Sequence, residues 1–436
     1  MSSELLELPL KSLCLLVVDC PHSTPVWTDY GVVVLRNQNI KGGRLDLSNP
    51  SFTDEDHYLG RTKRAIPQEN DLVITREAPM GEVCRLPAGL KCCLGQRQVL
   101  LRPDPDKVDS GYLLYALQSP YLQWQIGWSE GTGSTVSNLR IPVLEQLNVP
   151  VPPLTTQREV AQTLGVLDER ITLLREINKT LESIAQAIFK SWFVDFDPVR
   201  AKMGGRQPEG MDEETAALFP DSFEHFANGS VPRGWSLQRL SEAYEINPFR
   251  KLKKGDSSKY LDMANVPVAG FSIGDIITRS FSSGSKFSNR DTLLARITPC
   301  LENGKTAYVD FLDEGEVAWG STEFIVLRPK GPLPQFHAYL LCRSPSFREH
   351  AIKSMSGTSG RQRVQNDMLG AFLIAVPTLD IAQKFADVCE AIQVRCTDNQ
   401  AKSKTLAALR DTLLPRLISG KLRQPEAQEQ VENALS

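Results

Sequence analysis

The chain has 436 residues, enough for two or three domains at roughly 100 to 200 residues each. Its composition, 41% hydrophobic and 23% charged with 29 glycines and 28 prolines, is that of a globular protein and excludes a disordered, collagen-like or membrane-embedded chain. The formal net charge of −3 excludes a uniformly basic nucleic-acid-binding protein, but it permits a local basic surface.

Targeting and metal-binding signals are missing from the sequence. The first residues carry glutamate where a secretory signal would carry lysine or arginine, and the longest apolar run, residues 13–18, is far shorter than the roughly 18 to 20 residues of a membrane span. The nine cysteines form no Cys-x-x-Cys pair, and the five histidines are scattered. We therefore expect a cytoplasmic protein with reduced thiols, without a metal site and without membrane contact.

An internal repeat divides the chain into two similar halves. Short phrases recur about 225 positions later, among them Leu101-Arg102-Pro103 as Leu327-Arg328-Pro329 and Ser119-Pro120 as Ser344-Pro345. The pattern Asp-x-x-aliphatic-x-Arg-x-x-Pro occurs at 71–79 and again at 291–299. Because the matches are collinear, the sequence predicts two versions of one unit in tandem.

Each repeat begins with mixed secondary structure. Short runs rich in branched apolar residues predict strands at 72–74, 99–101, 293–294, 324–327 and 372–374, while 112–117 and 336–341 predict short helices. We therefore expect two globular domains of the α/β or α+β class, spanning residues 1–153 and 231–379.

Each repeat ends in a long helix, predicted at 154–193 and 380–420. Apolar residues recur at intervals of three and four along both segments, which is the spacing of a coiled-coil seam. We expect the two helices, each about 55 to 60 Å long, to pair as an antiparallel coiled coil. Burial of each helix against its own domain is the alternative. Residues 194–230 are predicted to be a linker, and residues 421–436 a flexible tail.

The linker carries the most specific motif of the sequence. Trp192-Phe-Val-Asp-Phe-Asp-Pro-Val199, together with Val231-Pro-Arg-Gly-Trp235 and Leu417-Ile-Ser-Gly-Lys-Leu422, resembles the specificity subunits of type I restriction-modification systems. The resemblance implies two target-recognition domains that read a bipartite, asymmetric DNA site, with the long helices acting as a ruler between them. It also implies docking of partner subunits on the helices and on the central segment, with Trp192, Phe193, Phe196 and Asp197 as partner-binding residues.

The resemblance further implies which components belong to partner subunits. It predicts double-stranded DNA, two methyltransferase subunits that use S-adenosylmethionine, and two restriction subunits that use ATP and Mg²⁺. The chain itself is expected to bind none of these cofactors and to be non-catalytic. In agreement, it has neither the Asn/Asp-Pro-Pro-Tyr/Phe loop of an adenine methyltransferase nor a Gly-x4-Gly-Lys-Ser/Thr phosphate loop.

Local charge indicates where DNA would bind. Residues 250–296 have a net charge of +5, from nine cations and four anions, whereas residues 36–76 reach only +1, from seven cations and six anions. Arginine and glutamine in the loop 357–363 are residue types that read guanine and adenine edges. The predicted DNA-binding residues are Arg36, Lys41, Arg44, Arg61, Arg64, Lys251, Lys253, Lys254, Lys259, Arg279, Lys286, Arg290, Arg361, Gln362 and Arg363.

Two alternatives remain open at this stage. One is a coiled-coil scaffold protein whose globular domains bind other proteins. The other is a specificity subunit that serves a methyltransferase-only system.

Overall fold

The structure, a computed structural model, describes residues 6–128, 138–270, 273–358 and 360–435 and consists of two compact units. Unit 1 comprises Met1–Thr172 and Ser403–Ser436, and unit 2 comprises Leu173–Lys402. Each unit therefore contains one of the two predicted globular domains and a portion of both long helices. The boundaries of the compact units lie inside those helices, and not at the predicted ends of the globular domains.

Unit 1 contains a four-stranded sheet, a three-stranded sheet and two two-stranded pairs. Its strands are β1 Glu7–Pro9, β2 Cys14–Asp19, β3 Val32–Leu35, β4 Ile40–Lys41, β5 Arg44–Leu45, β6 Ser51–Thr53, β7 Leu72–Thr75, β8 Val83–Arg85, β9 Cys92–Leu94, β10 Gln98–Pro103 and β11 Asn148–Pro150. Its helices are α1 Glu55–Arg61, α2 Ser110–Gln118, α3 Pro120–Trp128, α4 Ile141–Glu145 and the first part of α5, Leu154–Phe189. The predicted strands at 72–74 and 99–101 and the helix at 112–117 are confirmed.

Unit 2 contains the remaining strands. They are β12 Phe223–Phe226, β13 Gly229–Pro232, β14 Ser236–Arg239, β15 Tyr244–Ile246, β16 Ser257–Leu261, β17 Ile276–Ser280, β18 Ser285–Ser288, β19 Thr292–Ala295, β20 Thr306–Tyr308, β21 Val317–Gly320, β22 Phe324–Pro329, β23 Met355–Ser356, β24 Arg363–Val364 and β25 Leu373–Val376. Its helices are α6 Asp197–Met203, α7 Glu213–Leu218, α8 Leu240–Ala243, α9 Phe336–Arg343, α10 Pro345–Lys353, α11 Asn366–Gly370 and the first part of α12, Leu379–Ile418. Helix α13, Gln424–Leu435, belongs to unit 1.

The same sheet arrangement occurs in both units, as the sequence repeat predicts. The antiparallel sheet β2-β10-β7-β8 of unit 1 has the same order as β15-β22-β19-β20 of unit 2. In the second sheet of each unit, β3 pairs parallel with β9 and β16 pairs parallel with β21. The two units therefore share one arrangement of strands, which we call the sheet frame: the four-stranded antiparallel sheet and the parallel pair of the second sheet. Unit 2 adds a strand, β18, beside β21.

A buried carboxylate occupies the same position in both frames, just before the inner strand β7 or β19. Asp71 accepts two hydrogen bonds of 2.8 Å from Arg102, and Asp291 accepts one of 2.6 Å from Arg328. Both aspartates are almost fully buried. A buried charge is tolerated only when it is paired, so each arginine on β10 or β22 compensates the aspartate beside it.

The long helices pair antiparallel, as predicted. In unit 2, Asn178 of α5 contacts Asn399 of α12, while Phe189, further along α5, stacks near Phe385, earlier on α12. In unit 1, Asp168 of α5 forms an ion pair of 2.7 Å with Arg410 of α12. Position numbers rise along one helix as they fall along the other.

The helices also pack on the globular parts. Asp168 accepts a hydrogen bond of 2.8 Å from the Tyr115 hydroxyl of α2 and forms an ion pair of 3.0 Å with Arg44. Pairing with the other helix and packing on the domain, which the sequence presents as alternatives, therefore occur together. The polar stretch within α12 has a structural reason, since Asn399 and Ser403 continue the buried stripe.

Two predicted segments differ from expectation. Residues 421–436, expected to be a flexible tail, fold as α13 over most of their length, and Ala427 and Val431 are buried. The amphipathic spacing of these two residues, one turn apart, explains the burial. Residues 194–230, expected to be a linker, contain α6, α7, β12 and the start of β13, so they form part of the unit 2 fold.

An aromatic cluster surrounds one histidine in the core of unit 2. The ring of His337 lies 5.0 Å from both Phe189 and Phe193, and its Nδ1 shares a hydrogen bond with the hydroxyl of Tyr244. Burial lowers the pKa of His337 to about 3. The imidazole is therefore neutral in the folded protein at physiological pH.

We predict that the asparagine pair sets the register of the helices. The Asn178 amide donates to the carbonyl of Cys396 at 3.0 Å and accepts from Asn399 at 2.8 Å, and both side chains are buried. Asn178→Leu should lower the free energy of unfolding by about 1 to 3 kcal/mol, because it leaves the Asn399 amide without a partner. Urea unfolding measures the change.

The double variant Asn178→Leu/Asn399→Leu provides the test of coupling. Replacing both polar groups should restore most of the lost stability, since neither amide is then left unsatisfied. Lys179→Ala, at an exposed neighbour, is the control and should change stability by less than about 0.5 kcal/mol. Equal destabilisation by the single and the double variant would contradict the prediction.

A second prediction concerns acid stability. The pKa of His337 lies below the unfolded value of about 6.5, so the unfolded chain binds the extra proton and stability falls as the pH decreases from 6.5 towards 3. His337→Gln keeps an acceptor for Tyr244 but does not titrate. The wild-type chain should lose about 1.4 kcal/mol per pH unit relative to this variant between about pH 6 and 4.

Unfolding in urea at a series of pH values measures this difference. His350→Gln is the matched control, since His350 lies on α10, outside the aromatic cluster that surrounds His337. If wild type and His337→Gln lost stability in parallel below pH 6, the histidine would not be the titrating group.

Candidate nucleic-acid interface

The most basic exposed segment of unit 2 is the loop that joins its two sheets. We name residues 247–256, between β15 and β16, the sheet-joining loop of unit 2. Lys251, Lys253 and Lys254 are exposed there, and among the described residues none of them has a carboxylate within ion-pair distance. The backbone amide of Lys253 donates to Asp256 at 2.7 Å, which closes the tip of the loop. Three ammonium groups are thus free to contact phosphates.

Two further predicted cations lie on strands next to this loop. Arg279 of β17 is exposed and stacks over Tyr260 and Trp319, with its guanidinium carbon 5.2 and 5.9 Å from the two ring centres. Lys286 of β18 lies over the ring of Phe281 and donates to the carbonyl of Leu252 at 2.9 Å. Stacking on aromatic rings holds both cations in one position while Arg279 keeps its charge in solvent.

Some predicted DNA-binding residues of unit 2 are already paired within the protein. Lys259 contacts Glu316 at 2.8 Å, and Arg363 is paired with Glu323 at 2.6 Å. The hydrogen bond to Glu323 raises the pKa of the Arg363 guanidinium. Each of these two charges has a partner within the protein, and the contact of both residues with phosphates stays a prediction.

The remaining predicted DNA-binding residues of unit 2 are Arg290, Arg361 and Gln362. Arg290 is exposed and adopts a φ of 70° immediately before the buried Asp291. Arg361 is exposed in the loop that contains residues 357–363, and the main-chain carbonyl of Gln362 accepts from the Thr298 amide at 3.1 Å. Arg290 and Arg361 therefore remain available for DNA, and Gln362 is anchored through its backbone.

The predicted DNA-binding cations of unit 1 also fall into two groups, one exposed and one bound within the protein. Arg36, Lys41 and Arg64 are exposed, and Arg36 lies over the ring of Trp27 at 5.3 Å. Arg44 is paired with Asp168 of α5, and Arg61 donates to four main-chain carbonyls, those of Pro21, Ser23, Leu94 and Gly95. Arg44 and Arg61 therefore support the fold, and their contact with DNA stays a prediction.

The predicted partner-binding residues also separate into buried and exposed groups. Trp192 and Phe193 are 7% exposed and pack within the aromatic cluster around Phe385. The core of unit 2 covers most of both rings, and their contact with a partner stays a prediction. Phe196 is half-buried and Asp197 is exposed, so they remain candidates for such a contact.

A cleft lies beside this central segment. Its volume is about 560 Å³, and it lies between the last turn of α5 and residues 197–211, with Ile188, Ser191, Arg206 and Met211 among its lining residues. Its lining includes both apolar and charged side chains. A partner polypeptide would find both kinds of contact there.

Sequence reasoning missed two exposed aromatic residues, one in each unit. Phe249 of the unit 2 sheet-joining loop and Tyr30 of unit 1 are each 83% exposed. The phrase Pro-Phe-Arg-Lys-Leu-Lys-Lys at 248–254 held the signal for Phe249, an aromatic residue embedded in cations. The signal for Tyr30 is weak, since its neighbours include the acidic Asp29.

The described residues include no group of three or more histidine, cysteine, aspartate or glutamate side chains placed to hold a metal ion. All nine cysteines are free thiols. Of the helices in the described ranges, none is long and apolar enough to cross a membrane.

Comparison with known proteins identifies related chains. Residues 28–183 match the family described as the type I restriction modification DNA specificity domain. The chain is 23% identical over 405 residues to the specificity subunit of the type I restriction enzyme MjaIX from Methanocaldococcus jannaschii, covering 87% of this chain and 86% of the relative. It is 25% identical over 341 residues to the HindI specificity subunit from Haemophilus influenzae, covering 67% and 73%.

A solved structure shares the fold. The crystal structure of the type I restriction-modification S subunit from M. genitalium aligns with a TM-score of 0.53 at 16% identity, over 94% of this chain and 95% of that one. This similarity extends across both units and both long helices. The recognition-domain match in the first half and the relatives aligned along most of the length indicate a specificity subunit of a type I restriction-modification system.

Proposed function

We propose that this specificity subunit reads a bipartite, asymmetric DNA target and directs partner methyltransferase and restriction subunits to it. As a specificity subunit the chain is the non-catalytic, DNA-recognising component, and catalysis belongs to its partners. In this proposal each unit reads one half of the target, and the paired helices supply distance and partner contacts.

The observation that carries the proposal is one sheet frame used twice with different surface residues. Both units keep the same strand order and the same buried Asp–Arg pair. The sheet-joining loop of unit 2 presents three free lysines, whereas the equivalent loop of unit 1, residues 20–31, contains no lysine or arginine. A constant frame with different loops is the arrangement expected of two readers of two different sequences.

The exposed cations have a natural role in this scheme. Lys251, Lys253, Lys254 and Arg290 of unit 2, and Arg36, Lys41 and Arg64 of unit 1, would contact phosphates. Arg279, Lys286, Arg361 and Gln362 are placed on strands or anchored loops, where a defined position favours contact with base edges. Phosphate contacts would position each unit, and base contacts would specify the sequence.

The partners would dock on features that the two halves share. The exposed faces of α5 and α12, together with Phe196, Asp197 and the cleft beside them, would bind the two methyltransferase subunits. Two restriction subunits would complete the complex. S-adenosylmethionine, ATP and Mg²⁺ would be bound by those partners and not by this chain. We place the complex in the cytoplasm, where its DNA substrates are.

The first prediction of this proposal is that each unit recognises one half of the target independently of the other unit. Residues 233–378, between β13 and α12, would be replaced by the matching domain of another specificity subunit. The exchange should change one half of the methylated motif and leave the other half unchanged, since the core residues described for unit 2 are distinct from those of unit 1. Methylome sequencing of cells that also carry the partner subunits measures both halves.

The reciprocal exchange of residues 6–150 is the matched control and should change the opposite half. If one exchange altered both halves of the motif, the units would not read independently. Loss of all methylation with intact assembly of the subunits would show that the junction disturbs recognition as a whole.

A further prediction concerns the three free lysines. Lys251→Ala/Lys253→Ala/Lys254→Ala should weaken binding to duplexes of any sequence and reduce the dependence of log K on log salt by roughly one per lysine. The physical reason is that each phosphate contact releases counterions. Fluorescence anisotropy of the full chain between about 50 and 200 mM salt measures the slope.

The charge-matched control is Lys179→Ala/Lys402→Ala/Lys404→Ala, which removes three exposed lysines from the long helices. This control should leave the salt slope nearly unchanged. An equal reduction in both triple variants would mean that net charge alone, and not the sheet-joining loop, determines binding.

A further inference from the structure

The same loop of both units carries an aromatic side chain that the fold does not bury. Tyr30 and Phe249 are each 83% exposed. Tyr30 lies in the sheet-joining loop of unit 1, residues 20–31, and Phe249 in that of unit 2, residues 247–256. Each loop leaves the edge strand of the four-stranded sheet, β2 or β15, and enters the parallel pair of the second sheet through β3 or β16.

The loop of unit 2 is fixed immediately before Phe249. The Asn247 amide donates to the carbonyl of Val326 at 2.7 Å, and its side-chain oxygen accepts from the Val326 amide at 2.9 Å. Asn247 adopts a φ of 54°, a conformation that asparagine tolerates better than most residues. The chain therefore turns sharply at Asn247, and the turn is anchored to the centre of the sheet.

The loop is fixed again immediately after Phe249. Arg250 points inward, where its guanidinium contacts the buried Asp291 at 3.2 Å and the Ser288 hydroxyl at 3.0 Å. Further along, the carbonyl of Leu252 accepts from Lys286 at 2.9 Å. Phe249 is thus held between two inward anchors, and its ring projects into solvent from a fixed base.

The surroundings of this ring suit a nucleic acid better than a protein. Lys251, Lys253 and Lys254 are exposed within five residues of Phe249. A protein-binding hot spot would present further apolar neighbours and few lysines. A ring flanked by ammonium groups matches the combination of base and phosphate contacts that nucleic acids require.

The loop of unit 1 is anchored by different residues to the same effect. Arg61 donates to the carbonyls of Pro21 and Ser23, and the Thr28 amide donates to Phe52 at 3.1 Å. The Thr28 hydroxyl donates to the carbonyl of Tyr30 at 2.8 Å. Each loop therefore carries an exposed ring on a fixed backbone, near its start in unit 2 and near its end in unit 1.

We propose that each sheet-joining loop stacks its exposed aromatic ring on a base of the half-site that its unit reads, opening the base step at that position. This inference rests on the proposed function, because it requires that both units bind DNA. Insertion of an apolar side chain at a base step costs unstacking energy and is repaid by stacking and by closer contact with the backbone. Lys251, Lys253 and Lys254 supply those backbone contacts in unit 2.

The test uses the full chain assembled with its methyltransferase partners and a duplex carrying the motif found by methylome sequencing. 2-Aminopurine is placed in turn at each position of the two half-sites. The wild-type complex should raise the fluorescence at one position of the half-site assigned to unit 2 by the domain exchange. Phe249→Ala should abolish that rise and weaken binding by about 5- to 150-fold.

Three variants make the result specific. Phe249→Tyr keeps an aromatic ring and should retain both the fluorescence rise and the affinity. Phe226→Ala removes another partly exposed ring of unit 2, on β12, and should change neither. Tyr30→Ala should act only on the half-site read by unit 1. Because Tyr30 and Phe249 are exposed, their alanine variants should unfold at the wild-type temperature.

The outcomes separate this inference from the proposed function. Normal affinity and normal 2-aminopurine fluorescence with Phe249→Ala would overturn the inference and leave the proposed function standing. Loss of methyltransferase binding by Phe249→Ala with unchanged DNA affinity would also overturn it, since the ring would then be a protein contact. A wild-type complex that failed to bind its own motif would overturn both.

Discussion

The antiparallel pairing of α5 and α12 is the constraint on which the arrangement of this chain depends. Each helix has one narrow apolar stripe and polar residues elsewhere, so it needs a partner along its whole length. Polar contacts then restrict the register. In unit 2, Asn399 donates to the buried Asn178 only when these two residues meet, and in unit 1 the Asp168–Arg410 ion pair adds a polar contact between the helices. Hence residues 403–436, at the end of the chain, belong to the same compact unit as its beginning.

Within each unit, a buried aspartate lies between the shared sheet frame and a segment that differs between the two units. In unit 2, Asp291 is bound by Arg328 of the frame and by Arg250 of the sheet-joining loop. In unit 1, Asp71 is bound by Arg102 and accepts from the main-chain amide of Gln68 at 2.8 Å. The frame arginine is therefore the same in both units, and the main-chain amide of Ser288 donates to Asp291 as that of Gln68 does to Asp71. Unit 2 adds Arg250 to these shared partners. In unit 2, Arg250 of the sheet-joining loop binds Asp291, which Arg328 of the frame also compensates. This ion pair holds the loop in place.

The distribution of charge explains how an acidic chain can present a DNA-binding surface. Many of its cations are bound internally, as Arg61 is by main-chain carbonyls and Lys259 is by Glu316, and they contribute little to the external field. The lysines of the unit 2 sheet-joining loop are not compensated in this way. Association with phosphates depends on the local density of free cations and not on the net charge of the chain. Unit 1, with fewer free cations near its loop, would depend more on base and shape contacts.

By itself, the sequence determined the tandem repeat, the α/β class, several strands and short helices, and the two long helices with their antiparallel pairing. These features depend on local periodicity and on collinear matches, which are encoded in neighbouring residues. Only the tertiary structure decided which side chains are available at the surface. Trp192 and Phe193 lie in a characteristic motif but are buried, Arg44 and Arg363 look free but are paired, and residues 421–436 look like a tail but fold as a helix. The physical reason is that burial and ion pairing are set by residues distant in the sequence, such as Phe385 beside Trp192 and Asp168 beside Arg44, and no local pattern specifies which of them will meet.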